Sequence, residues 1–227
     1  MEVTIHQLEF MSYLGFWDKI SNVDKLVLLD DVDFRKNYFQ NRNKILINGE
    51  PNWFGVEIEK STKTAIKDVK VSSIYNPTKK VKTIEQAYKK APYFDKYAPG
   101  IIDVLKHRKK YLVEYNLSLF LNIRDYLGID IKDIAVQSQE NYKGDKSDLI
   151  INICKSEGAT SYYSGVSGID YLDLKQFEKA GIDVKFQEYT HPVYNQFNSS
   201  KFVPYLSIID LLFNEGDNAL KILKNGE

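Results

Sequence analysis

The chain has 227 residues, 43% hydrophobic and 27% charged, the balance of a globular protein long enough to bury a substantial core. Lys plus Arg and Asp plus Glu number 31 each, so no net field draws the chain to nucleic acid or to an anionic membrane. No run approaches the roughly 20 apolar residues of a spanning helix, and a single cysteine excludes an internal disulfide or a multi-cysteine zinc site.

Val3-Thr4-Ile5 predicts a strand that ends abruptly in His6-Gln7. A helix follows over 12–23, with Leu14, Trp17 and Ile20 on one stripe. Leu26-Val27-Leu28-Leu29 is a continuous apolar run, which fits a strand buried on both faces, and it ends in Asp30-Asp31. Two apolar runs then flank Asn48-Gly49, the signature of a hairpin over 44–58. Residues 61–82 are polar and lysine-rich, with one strand expected over 68–72. Helices are expected over 83–90, 99–115 and 118–127, the last closed by Gly128. From there the pattern alternates: strand 134–137, helix 147–156, strand 160–165, helix 172–180, strand 184–189 and helix 207–213.

This alternation predicts an α/β fold: a mostly parallel, Rossmann-like sheet with helices on both faces, plus a β-hairpin and a helical insertion. We read residues 1–227 as a single domain with 61–127 as a largely helical elaboration. The N-terminus shows no basic and apolar leader, so a cytoplasmic location without membrane insertion is expected.

Four polar clusters fall at predicted strand ends or loops. They are His6-Gln7; Asp30-Asp31 with Lys36; Gln40-Asn41-Arg42-Asn43; and Ser164-Gly165 with Gly168, followed later by His191-Pro192. Ligands of open α/β sheets bind outside the carboxyl ends of strands. A histidine there can serve as general base, and carboxylates can orient it or accept from an amine. Arg42 and Lys36 suit phosphate, and the glycines let backbone approach a ligand. Each cluster has a plainer reading. A strand-end histidine can be a satisfied structural residue, and four consecutive polar residues need hydrogen-bond partners wherever they are buried. Cys154, amid Ile151 and Ile153, reads as core filler rather than nucleophile. No grouping has metal-ligand spacing, and no Walker, G-x-S-x-G or G-x-G-x-x-G motif occurs.

Several segments together resemble the bacterial WbqC-like family. They are Ile5-His6-Gln7 with Tyr13-Leu14-Gly15-Phe16, Leu29-Asp30-Asp31-Val32-Asp33-Phe34 with Lys36, and Phe39-Gln40-Asn41-Arg42-Asn43-Lys44-Ile45. Further matches are Ala91-Pro92-Tyr93-Phe94, Tyr163-Ser164-Gly165 with Gly168, His191-Pro192, and 206–214 with Asp210. The family usually carries prolines soon after His-Gln and a Trp before the Leu-Gly. Leu8 and Ser12 stand for the prolines here, and Tyr13 for the Trp.

The resemblance implies a link with surface-polysaccharide genes and transfer of glycine or another acyl group to an amino sugar. In that reading His6, Asp30, Asp31 and His191 are the catalytic set. Gln7, Lys36, Gln40, Asn41, Arg42, Asn43, Ser164, Gly165 and Gly168 bind substrate, and no metal takes part. The expected partners are a nucleotide sugar and an acyl carrier protein, with a phosphopantetheine thioester or another activated acyl donor, and no nucleic acid. Two alternatives stay open. The opening strand, histidine loop and helix are similar to nucleotidylyl-transfer folds, although the second histidine of their signature is missing. A non-catalytic partner in glycan assembly also fits.

Overall fold

A computed structural model describes every residue except 132, 141, 226 and 227. The chain divides into two compact units. The first comprises Met1–Gln7, Asp18–Asp31 and Asp130–Tyr189, and the second Leu8–Trp17, Val32–Ile129 and Thr190–Glu227. The helical segment expected over 61–127 lies wholly inside the second unit.

The first unit is built on five parallel strands: β1 (Glu2–Gln7), β2 (Lys25–Leu29), β5 (Asp133–Val136), β6 (Ser161–Ser164) and β7 (Asp183–Phe186). Their order is β5-β2-β1-β6-β7. The expected α/β class with a parallel sheet flanked by helices is what the chain forms. Leu26, Val27 and Leu28 are fully buried, as a strand covered on both faces requires. Each such side chain contributes roughly 1.5–3 kcal/mol. Helices α5 (Lys146–Ser156) and α6 (Leu174–Ala180) bring Ile153, Cys154 and Phe177 into this core. Phe177 stacks on Tyr162 with ring centroids 5.9 Å apart. Gly181, in the left-handed region at φ 71°, ends α6 by donating to Glu178 O and Phe177 O.

The second unit holds the antiparallel hairpin of β3 (Arg42–Ile47) and β4 (Glu50–Gly55). Asn48 and Gly49 both have positive φ, 52° and 79°, the requirement of a tight two-residue turn. Around the hairpin lie α2 (Pro77–Tyr88), α3 (Phe94–Lys106), α4 (Leu112–Leu127), α7 (Ile208–Glu215) and α8 (Ala219–Asn225). Helix α1 (Leu14–Ile20) gives its residues through Trp17 to this unit and Asp18 onward to the first. Trp17 stacks on Phe120 of α4, centroids 5.4 Å apart and 14° from parallel.

Two expectations are corrected here. The helix expected over 99–115 is two helices broken at 107–111. Glu114 Oε2 accepts the N–H groups of Lys110 and Tyr111, at 3.1 and 2.7 Å, and so starts a new helix. The freed segment bonds backbone to backbone with Val69 and Val71. That pairing consumes the strand expected over 68–72, which forms only isolated bridges after a short 3-10 turn, Ile66–Asp68.

Candidate functional site

In a parallel sheet every strand ends on the same edge. The carboxyl edge of the first unit therefore carries His6 and Gln7 after β1, Asp30 and Asp31 after β2, Gln137 after β5, Ser164 and Gly165 after β6, and Gln187 after β7. The chain runs from β1 outward to β2 and β5, then returns to β6 and β7 on the other side. The order reverses between β1 and β6, which is where such sheets open a ligand crevice. His6 and Ser164 end the two strands that flank that point.

His6 Nδ1 lies 3.0 Å from Nζ of Lys19, which is 3% exposed. An ammonium donates and does not accept. With Lys19 as an ammonium, Nδ1 is the acceptor and the proton of the neutral ring belongs on Nε2. On the same helix Asp18 is buried, and its Oδ2 accepts from Gln187 Nε2 at 2.6 Å. Thr4 Oγ1 donates to Tyr163 O at 2.8 Å, knitting β1 to β6 beside the site.

The two aspartates divide. Asp30, 2% exposed, accepts from the Ser138 N–H at 2.8 Å and from Ser138 Oγ at 2.6 Å. It holds the turn after β5. Asp31 is exposed, and its N–H donates to Gln137 Oε1 at 3.0 Å. Beyond β6, the Gly168 N–H closes a tight turn on Gly165 O at 2.9 Å. A Cβ on Gly168 would overlap Ser164 Oγ, so glycine here keeps the backbone against the hydroxyl.

The remaining predicted residues belong to the second unit. The polar run is spent largely on backbone. Gln40 is fully buried, and its Oε1 accepts from Arg35 N–H at 2.8 Å. Asn41 Nδ2 donates to Val56 O at 3.0 Å. Asn43, 1% exposed, donates to Met11 O at 2.9 Å and accepts from Lys44 N–H at 2.8 Å. Arg42 differs. Its guanidinium lies 4.3 Å from the Trp53 ring centroid, and Nη2 donates to Asn37 O at 3.1 Å. Lys36 is exposed. His191 uses both ring nitrogens on backbone: Nδ1 donates to Pro192 O at 2.8 Å, and Nε2 accepts from Tyr205 N–H at 3.1 Å. Burial lowers its pKa, against the raising effect of the Pro192 carbonyl.

Sequence reasoning missed Lys19, Asp18, Gln137 and Gln187. Lys19 and Asp18 sit on a helix whose apolar stripe drew the reading, and a charged pair on the other flank of that stripe looks solvated. Asp210 of the second unit, named in a family-like segment but given no role there, accepts with its carboxylate from the Tyr88 and Tyr194 hydroxyls and from Gln196 Nε2, at 2.9, 2.8 and 2.9 Å. Burial raises the Asp210 pKa, and the three donors oppose that. A cleft of about 410 Å³ within this unit is lined by Tyr194, Gln196, Phe197, Lys201 and Asn214 among others, and by none of the predicted site residues. Cys154 is fully buried, and burial pushes its thiol up to about 12, so it is inert filler. Among the described residues no group of three His, Cys, Asp or Glu side chains is placed to hold a metal, and no helix is long and apolar enough to cross a membrane.

The uncharacterized protein Rv1507c of Mycobacterium tuberculosis is 28% identical over 98% of this chain and 97% of its own length. No solved structure matches the chain. The profile of the WbqC-like protein family matches residues 7–222, and the chain belongs to that family.

Proposed function

We propose that the protein is an N-acyl or aminoacyl transferase of the glycyl-transferring type. Its acceptor would be the amino group of a nucleotide-linked amino sugar in bacterial surface-polysaccharide biosynthesis. One observation carries the reading: a neutral imidazole, His6, stands at the switch point of the sheet with a buried ammonium on its Nδ1. We take His6 Nε2–H, buried beside the point where such sheets open a ligand crevice, as the donor to the reacting group. The family's link with surface-polysaccharide genes supports the acceptor class.

The acyl donor is a phosphopantetheine thioester, free or on an acyl carrier protein. The amine nitrogen attacks the acyl carbon, and the carbonyl oxygen gains negative charge. His6 Nε2–H donates to that oxyanion, aided by the backbone N–H of Gly165, while the Gly168 N–H and the Ser164 hydroxyl hold the turn by donating to Gly165 O. Asp31, exposed on the same edge, takes the proton that the amine loses. The carbon–sulfur bond then breaks, and the departing thiolate takes up a proton. Gln7 orients the acyl group. Asp30 and His191 transfer no proton in this scheme, because their polar atoms already hold loops in place. Gln40, Asn41 and Asn43 support Arg42 rather than touch substrate.

The test is thiol release from glycyl- and acetyl-phosphopantetheine in the presence of nucleotide-linked amino sugars. Release that needs both substrates, and vanishes in His6→Ala, supports the proposal. Release of pyrophosphate from a nucleoside triphosphate and a sugar phosphate would instead favour nucleotidylyl transfer. The histidine at the end of the first strand of this sheet order is the observation behind that second reading. Turnover in neither assay would favour a non-catalytic partner.

A further inference from the structure

The hairpin of the second unit carries a surface that the scheme above leaves largely unused. Along β3, Asn43 and Ile45 point inward and are buried, so Arg42 and Lys44 point outward. On β4 Phe54 is buried, and Trp53, paired with Lys44, is 47% exposed. The Trp53 ring lies 4.3 Å from the Arg42 guanidinium, 5.5 Å from Lys44 Nζ and 5.8 Å from the Phe39 ring. Phe39 contacts Tyr38 at 5.1 Å, and Arg35 lies 5.6 Å from the Tyr38 ring. Tyr38 is 41% exposed. Three rings and three cations thus form one continuous strip, with Lys36 exposed beside it.

The charges on this strip are unbalanced. Ion pairs elsewhere neutralise Lys25, Lys80, Lys96, Lys106, Arg124 and Lys185, but among the described residues no carboxylate pairs with Arg35, Lys36, Arg42 or Lys44. In a chain of zero net charge, four such cations together mark an anion site. Arg42 sharpens the point. Its guanidinium lies over the Trp53 ring, its one hydrogen bond among the described residues engages Nη2, and its buried Nε–H has no acceptor among them. A guanidinium stacked on an aromatic ring is pre-organised for forked binding of phosphate.

We propose that this strip binds a nucleoside diphosphate group. The diphosphate sits on Arg42, Lys44 and Lys36, and the base stacks on the exposed surface of Trp53 or Tyr38. The ring surface argues for a base in addition to phosphate, since base–aromatic stacking is the use for which a half-exposed tryptophan beside cations is suited. The strip is short, with only two well-exposed rings, which fits one nucleotide rather than a strand. This site deepens the reading above, on which its place in a reaction rests, by naming the ligand class as the nucleoside diphosphate part of a nucleotide sugar. The binding itself is tested without turnover.

The chain has two tryptophans, and Trp17 is buried. The variant Trp17→Phe leaves Trp53 as the only tryptophan, and its fluorescence is titrated with UDP, CDP, ADP, GDP, uridine, pyrophosphate and poly-uridylate. Calorimetric titration of the native chain repeats the series, so a Trp17→Phe chain that fails to fold leaves the test intact. We expect at least one nucleoside diphosphate to quench Trp53 and to bind about tenfold or more tightly than pyrophosphate or uridine. Trp53→Ala should weaken that binding by about tenfold or more. The Arg42→Ala/Lys44→Ala pair should weaken it similarly and flatten its salt dependence. No binding of any nucleoside diphosphate overturns the proposal, as does pyrophosphate binding equally well or poly-uridylate binding more tightly. Thioester turnover without hairpin binding would sink this site and leave the transferase standing. Hairpin binding without turnover would do the reverse.

Discussion

The two edges of the five-stranded sheet are built from similar residue types and do opposite things. At the amino edge, Lys25 pairs with Asp133 at 3.0 Å and with Glu157. Glu2 takes Lys185 at 2.7 Å and Ser161 Oγ at 2.8 Å, and Asp24 accepts the Glu2 N–H at 2.7 Å. Each charge is answered by its opposite or by backbone. At the carboxyl edge a buried ammonium is set against an imidazole, an exposed carboxylate follows β2, and a glycine turn lies on a hydroxyl. Charge that is closed on itself serves the fold. Polar and charged groups gathered at a switch point are where function is expected.

The largest effect that sharpens this contrast is at Lys19. Lys19→Met removes the donor that fixes the His6 tautomer and keeps the apolar stem. Thioester turnover should fall by about 10²–10³-fold, the usual cost of losing one oxyanion donor. The readout that a merely structural role would not move is the His6 ring itself. Nitrogen NMR should find its proton on Nε2 in the native chain and shared between both nitrogens in the variant. An unchanged tautomer, with lower stability only, would reduce Lys19 to a buried scaffold residue.

The matching change at the other edge is Lys25→Met. It leaves Glu157, 14% exposed, without its cation. Urea unfolding should show a loss of about 2–3 kcal/mol, below that of a fully buried pair because Asp133 is 55% exposed. Turnover per folded molecule should not move. Burial disfavours the Lys25 ammonium, but Glu157 and Asp133 outweigh it, so its pKa is raised. The sign follows: its stabilisation is complete below the usual lysine value of about 10.5 and is lost as pH rises through the higher folded value. Lys25→Met should therefore flatten the alkaline end of the stability curve.

Most of the fold was legible because buried parallel strands are long apolar runs and their helices are periodic. The break at 107–111 was not legible, because Glu114 caps a helix there through backbone groups whose position depends on Val69 and Val71. The strand-end residues His6, Asp31 and Ser164 were readable for the same reason as the strands. Lys19 was not, since only the tertiary structure turns that side of the helix to His6. The run 40–43 was readable as needing partners, but which members bond to backbone is decided by hairpin register and by the loop at Met11.

The second unit tests the same rule through Arg42, whose charge no carboxylate closes among the described residues. Arg42→Lys gives up the guanidinium over Trp53 and its fork of donors. The KM for the nucleotide-linked acceptor should rise by more than about tenfold, roughly 1.4 kcal/mol of binding, with little change in kcat or melting temperature. A drop in melting temperature with KM unmoved would make Arg42 a loop anchor through Asn37 O, and the rule would fail in this unit.

The smallest expected effect is at His191, and it is the sharpest test of whether a spent polar group is a structural one. Both of its nitrogens are engaged by backbone, and burial holds its pKa below the usual value of about 6.5. Above that value the ring is neutral in both the folded and the unfolded chain, and its titration costs nothing. As pH falls below it, the unfolded chain takes up a proton that the folded ring resists. The unfolded state then binds more protons, so stability falls with pH until the lowered folded value is passed. His191→Gln removes this titration. The native chain should lose more of its melting temperature between about pH 7 and about pH 5 than the variant does, and turnover per folded molecule at pH 7 should be the same in both. A base is worth about 10²–10⁴ in rate. A loss of that size in His191→Gln, with the pH slope of stability unchanged, would show that two backbone hydrogen bonds do not exclude a group from the chemistry.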